Sequence, residues 1–295
     1  MRPAPICAAV LALALAACQP VRPDVPPAPV PAAAQASTPA DDNLNAVLWV
    51  QRSAEYRAAA MQTYRAATAQ LDAALAQPGW DALLPAEREG SGPALKPAVV
   101  LDIDETVLDN SPYQARLVRD GGEYSDRSWD AWVQERKARA VPGVVEFARA
   151  ANARGITLIY ISNRAVHLAD ATVDNLRAEG LPVDGDDVFL GLGTVVPGCA
   201  QHGSEKDCRR RLASRRYRVL MQFGDQLGDF IRIEDNSPAA RQALLERHGD
   251  WFGSRWWMLP NPTYGGWEPA LFDNGWKQPR EARRAAKRTA LEVAP

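Results

Sequence analysis

The chain has 295 residues, room for one large domain or two small ones, and 46% of them are apolar, as in an ordinary globular protein. Its 34 Lys and Arg against 36 Asp and Glu leave a formal charge of −2. It lacks the basic stripe that nucleic acid demands, so nucleic acid is excluded as a partner.

From the start of the chain, residues 1–18 read as a targeting segment rather than fold. Arg2 supplies a charged region, and residues 6–17 an apolar stretch too short to span a bilayer. Its end, Leu15-Ala16-Ala17-Cys18, resembles the lipobox of bacterial lipoprotein signal peptides, which implies cleavage before Cys18 and a lipid anchor upon it. By the same resemblance, Gln19 after the cysteine implies sorting to the bacterial outer membrane, facing the periplasm or the cell surface. An ordinary secretory signal with an incidental cysteine is the alternative. Residues 19–42 are rich in Pro and Ala without periodicity, which suits an extended, semi-rigid linker.

Residues 43–278 read as one domain whose core begins at 97. Apolar and aromatic residues over 44–77 recur at helical spacing, in one long helix or two broken ones, until Pro78-Gly79. Residues 98–103 form the first core strand. Residues 113–140 carry Trp129 and Trp132 without a clear strand, and read as a small helical insertion. Helices over 144–154, 167–179, 204–216 and 238–248 then alternate with strands over 156–161, 188–190, 217–223 and 256–259. Residues 279–295 are a basic tail at helical spacing, read as a solvated helix face. Alternation of this kind predicts an α/β fold, a parallel sheet with right-handed crossovers and helices on its faces. Beyond the targeting segment only Cys199 and Cys208 remain, as a local disulfide in an oxidising compartment or as two free thiols.

Polar residues end three of these strands: Asp102 and Asp104, Ser162, and Asp225. The carboxyl end of a strand is where open α/β sheets bind ligands, and two carboxylates spaced i, i+2 there repel each other unless a cation or proton intervenes. That placement points to a divalent metal and a phosphate-type substrate. Gly224 and Gly228 beside Asp225 leave room for close backbone approach.

The set Asp102-Ile103-Asp104-Glu105-Thr106, Ser162-Asn163-Arg164, Lys206 and Gly224-Asp225-Gln226-Leu227-Gly228-Asp229 resembles the haloacid dehalogenase (HAD) superfamily. More narrowly it resembles subfamily IIIB, the class C bacterial acid phosphatases or lipoprotein e(P4)-type 5'-nucleotidases, as does Leu259-Pro260-Asn261-Pro262-Thr263-Tyr264-Gly265-Gly266-Trp267-Glu268. The resemblance implies a HAD-like Rossmannoid sheet and Mg²⁺-dependent hydrolysis of small phosphomonoesters, nucleoside 5'-monophosphates and nicotinamide mononucleotide included. It implies Asp102 as nucleophile and metal ligand, Asp104 as general acid and base whose backbone carbonyl reaches the metal, and Asp225 as a direct ligand. Asp229 would hold metal-bound water, Lys206 the phosphoryl charge, and Ser162, Asn163 and Arg164 the phosphoryl oxygens. Trp129 and Tyr264 would stack on the leaving group, or else pack the core. A broad phosphatase for sugar or aryl phosphates, and a non-catalytic lipoprotein binding a ligand such as haem, are the rival readings; the intact Asp102 speaks against the second. A homo-oligomer is left open.

Overall fold

The computed structural model describes residues 41–90, 95–185 and 187–294. The expected targeting segment, Cys18 and the linker up to residue 40 lie outside the described residues. Two helices open the domain, α1 (Leu44–Arg52) and α2 (Ala54–Ala76). Ser53 breaks them: its backbone is extended (φ −77°, ψ 143°) and its Oγ accepts the Tyr56 N–H at 3.0 Å, the N-cap of α2. Tyr56, Ala60, Tyr64, Ala67, Leu71 and Ala74 form one buried stripe along α2, at the i, i+3/i+4 spacing of a helix face.

The core strand β1 (Lys96–Leu101) leads into a two-helix insertion, α3 (Ser111–Asp120) and α4 (Asp126–Gln134). A short antiparallel ribbon of β2 (Leu108–Asp109) and β3 (Arg139–Ala140), absent from the sequence reading, brackets it. Then come α5 (Val144–Asn152), β4 (Thr157–Ala165), α6 (Ala169–Ala178), β5 (Phe189–Leu192), α7 (Asp207–Ser214), β6 (Tyr217–Gly224), α8 (Pro238–His248) and β7 (Trp256–Met258). Two helices close the chain, α9 (Trp267–Ala270) and α10 (Arg280–Thr289).

The main sheet runs β5-β4-β1-β6-β7 with every pair parallel, so the carboxyl ends of its strands share one edge. Alternate side chains of the central strands enter two apolar layers, as the period of 2 requires. Val99, Leu101 and Tyr160 face the layer shared with α2 and α5, while Ala98, Val100 and Ile159 face the other. This is the HAD-like α/β architecture expected from the motifs.

Three boundaries differ instructively. Strand β4 does not stop with its apolar run at Ile161 but continues through Ser162, because Ala165 pairs with Leu192 of β5. The basic helix α7 is no solvated face, since Arg209 and Arg210 are wholly buried. The basic tail is docked too: Arg283 pairs with Glu123, Arg284 with Asp42 at 2.8 Å, and Lys287 with Glu268 at 2.9 Å. No helix among the described residues is long and apolar enough to cross a membrane.

Candidate active site

Asp102 follows the last residue of β1, its N–H donated to the Phe223 carbonyl of β6 at 2.9 Å, so the sheet itself fixes its place. Asp225 follows the last residue of β6 on the neighbouring strand. Asp229 comes back toward both through a tight turn in which the Gln226 N–H donates to its Oδ2 at 2.8 Å. One carboxylate oxygen from each of Asp102, Asp225 and Asp229 lies within 4.8 Å of the others. Gly224 is what admits this approach: a Cβ there would sit 2.3 Å from Asp229. Gly228, by contrast, has nothing nearer than 3.9 Å, so close approach explains only the first of the two glycines.

Lys206 bridges the cluster, pairing with Asp102 and donating to Asp229 Oδ1 at 2.6 Å. Burial alone would push its ammonium down, but the two carboxylates outweigh burial and hold it above the usual lysine value. Burial pushes the Asp102 carboxyl well above the usual range; Lys206 opposes the rise, and Asp229, Asp225 and Asp104 add to it. Burial, then the neighbouring Asp229, pushes Asp225 up to about 8. Three acidic side chains thus gather around a buried ammonium that pairs with two of them, Asp102 and Asp229. Thr106 Oγ1, 3.5 Å from Asp102 and 3.4 Å from Asp225, has only one proton to give to the two. An all-oxygen set of acids whose charged forms need a further cation fits a hard divalent ion such as Mg²⁺.

The Asp104 carboxylate is not part of that cluster. Its Oδ1 accepts from Arg164 Nε at 2.9 Å and Asn110 Nδ2 at 2.8 Å, and its Oδ2 from Ser162 Oγ at 3.4 Å. A direct side-chain bond from Asp104 to the same ion is therefore not what this arrangement offers, and the contact the resemblance implied is one of its backbone carbonyl. Arg164, expected against the substrate, is 1% exposed and turned onto Asp104 and Asn110 instead. Asn163 is exposed beside it, its Oδ1 accepting from Arg209 at 2.7 Å. Glu105, with a left-handed backbone (φ 59°), turns the chain after Asp104, and its carboxylate accepts the Asn110 N–H at 2.8 Å and the Tyr264 hydroxyl. Burial, then the Asp104 charge, pushes Glu105 up to about 8.

Tyr264 bonds Glu105, and Trp129 of α4 lies against Arg164, without the two rings stacking on one another. The Arg164 guanidinium lies 5.6 Å over the Trp129 ring, and Tyr113 meets that ring edge-on at 5.1 Å. Both aromatic residues remain partly exposed.

Sequence reasoning passed over several positioning groups. Thr106, Asn110, Gln226 and Asn261 lay inside or beside the motifs, so proximity could have marked them; Asn261 Nδ2 donates to Asp225 at 2.8 Å. Arg210 had no such mark. It forks onto Glu87 at 2.6 and 2.7 Å and donates to the Gly228 and Asp229 carbonyls at 3.1 and 3.0 Å, fixing the Asp229 turn. Arg209 likewise holds the Ser162 carbonyl. Cys199 and Cys208 form a disulfide that closes the loop carrying Lys206.

A family model for the HAD superfamily, subfamily IIIB acid phosphatases, matches residues 8–267. Two structures of the class C acid phosphatase from Bacillus anthracis, one with tungstate bound, are 34% identical to this chain, with TM-scores of 0.73 and 0.74. They cover 86% of this chain and 98% of their own. Among curated proteins, the stem 31 kDa glycoprotein of Glycine max is 25% identical over 56% of this chain, and acid phosphatase 1 of Solanum lycopersicum 22% over 56%. The chain spans only 58% and 57% of those proteins' lengths.

Proposed function

The chain belongs to subfamily IIIB of the HAD superfamily, the acid phosphatases, and from that premise we propose that it hydrolyses small phosphomonoesters, nucleoside 5'-monophosphates foremost, with Mg²⁺ as cofactor. The observation that carries the reading is the buried cluster of Asp102, Asp225 and Asp229 around Lys206, with Asp104 beside it. Asp102 attacks phosphorus, the ester oxygen leaves with the phosphorus–oxygen bond, and an aspartyl-phosphate forms. Asp104 gives its proton to the leaving oxygen and later takes one from the water that hydrolyses the aspartyl-phosphate. Arg164, Asn110 and Ser162 hold the Asp104 carboxylate in place for both transfers. Lys206 offsets phosphoryl charge in a water-poor site, where a fixed cation acts strongly. Asp102, Asp225 and the Asp104 carbonyl would hold the Mg²⁺, which would supply neutralisation of the phosphoryl and nucleophile charge. Asp229 keeps a supporting place, already committed to Lys206 and Gln226.

The nucleotide preference rests on Trp129 and Tyr264, two partly exposed aromatics that touch Arg164, the partner of Asp104, and Glu105, its neighbour in the chain, and that suit a flat leaving group. The Leu15-Ala16-Ala17-Cys18 segment supports a lipid anchor and an outer-membrane location, where a charged nucleotide is better taken up after dephosphorylation. A substrate panel with Mg²⁺ and with EDTA tests the whole. EDTA should abolish turnover, and Trp129→Leu or Tyr264→Leu should cut kcat/KM for AMP about tenfold more than for p-nitrophenyl phosphate. Equal losses on both would favour a broad aryl and sugar phosphatase.

A further inference from the structure

Beside the acid cluster the surface opens into a cleft of about 280 Å³. Its lining includes Lys206 and Asp229 of the acid cluster together with Gln226, Asn236 and, from α8, Arg241. The connection is physical. The Gln226 side chain accepts the Gly266 N–H at 2.8 Å, Asn236 Nδ2 donates to the Gly266 carbonyl at 2.9 Å, and Arg241 Nη1 donates to Asn236 Oδ1 at 2.9 Å. A Cβ on Gly266 would sit 3.1 Å from Arg241 Nη1, so the guanidinium rests against the turn that follows Tyr264.

Arg241 is half-buried yet has no carboxylate partner among the described residues; its one hydrogen bond there goes to the neutral Asn236. Burial pulls its pKa below the ordinary arginine value. Glu205, the other acid in the lining besides Asp229, accepts the Ile233 N–H at 3.1 Å and forms no ion pair with Arg241. Most other arginines packed near this site are paired: Arg164 with Asp104, Arg210 with Glu87 and Arg211 with Glu89. A partly desolvated guanidinium without a counterion, facing a cleft, offers a planar fork to a carboxylate or phosphate.

We propose that Arg241 is a specificity subsite for a second anionic group on the substrate, so that the enzyme favours phosphomonoesters whose leaving group itself carries a carboxylate or phosphate. The proposal rests on the phosphatase reading for its orientation, with the scissile phosphoryl at Asp102 and Lys206 and the second anion at Arg241.

Two substrate pairs test it on the full chain with Mg²⁺: 4-carboxyphenyl phosphate against phenyl phosphate, and adenosine 3',5'-bisphosphate against AMP. The pairs separate a carboxylate from a phosphate as the second anion. In the unaltered protein the charged member of at least one pair should have the higher kcat/KM, by about tenfold and through KM. Arg241→Gln should erase that ratio, and Arg241→Lys, which keeps the charge without the fork, should restore only part of it. No preference in either pair, or the same ratio in Arg241→Gln, overturns the subsite. Failure to hydrolyse phenyl phosphate at all would count against the phosphatase reading instead. The subsite is then read by calorimetric titration of the same compounds into Asp102→Asn with and without Arg241→Gln. A tenfold affinity loss confined to the charged members supports it, and unchanged affinities overturn it.

Discussion

Asp102 and Asp104 are two residues apart and meet different surroundings. The first is buried among acids and a lysine, the second held by Arg164, Asn110 and Ser162 at the mouth. Environment, not residue type, divides nucleophile from proton carrier. Asp102→Asn keeps the shape and the donor to the Phe223 carbonyl but removes the attacking oxygen. Its turnover should fall about 10³-fold or more while the melting temperature stays nearly unchanged. Wild-type-like rates in Asp102→Asn, with no trapped phosphoenzyme in the parent, would falsify nucleophilic catalysis by this residue.

At the scale of elements, α7 is the support beneath the site. Its Arg209 and Arg210 turn inward to hold the Ser162 and Asp229 backbones, and its first turn follows directly on Lys206. Arg210→Met would leave Glu87 buried opposite an apolar chain, and should cost about 3–5 kcal/mol in chemical denaturation. Adding Glu87→Gln should recover part of that loss; no recovery would mean that the pair is not the source of it. The Cys199–Cys208 bridge closes the loop just before α7. Removing it as Cys199→Ser/Cys208→Ser should lower stability by about 2 kcal/mol, since a short loop constrains the unfolded chain only moderately. KM should rise more than kcat falls as Lys206 gains freedom, which steady-state kinetics would show.

For the whole molecule, five parallel strands bring chemistry from residues 102, 162 and 225 to one edge. Its acid stability should include the insertion's Arg116–Glu135 pair, bonded at 2.9 Å. That hydrogen bonding holds the Glu135 carboxyl down at about 2, below its ordinary 4.5. Because the folded value is the lower one, the pair's contribution is present above pH 4.5 and disappears as the pH falls through about 2. Glu135→Gln should therefore flatten the acid limb of a denaturation-versus-pH curve, by a small amount because the pair faces solvent. An unchanged limb would show that the pair contributes nothing.

Whereas the break at Ser53 was left open, the alternation of the main-sheet strands with helices, the polar residues that end three of those strands and the helix stops at Gly155 and Gly180 were legible in the chain. They depend on local periodicity, capping and turn chemistry, which neighbours in sequence decide. Which partners hold those carboxylates was not legible. Asp229 joins Asp102 and Asp225 while the Asp104 side chain turns away, because Lys206 and Arg164 reach them from 23 to 104 residues distant. The same limit hid Arg210 behind a stretch that looks solvated, and hid Arg241, which has no carboxylate partner among the described residues. A charge's partner depends on what the fold brings to it, and only the packed sheet and its helices decide that.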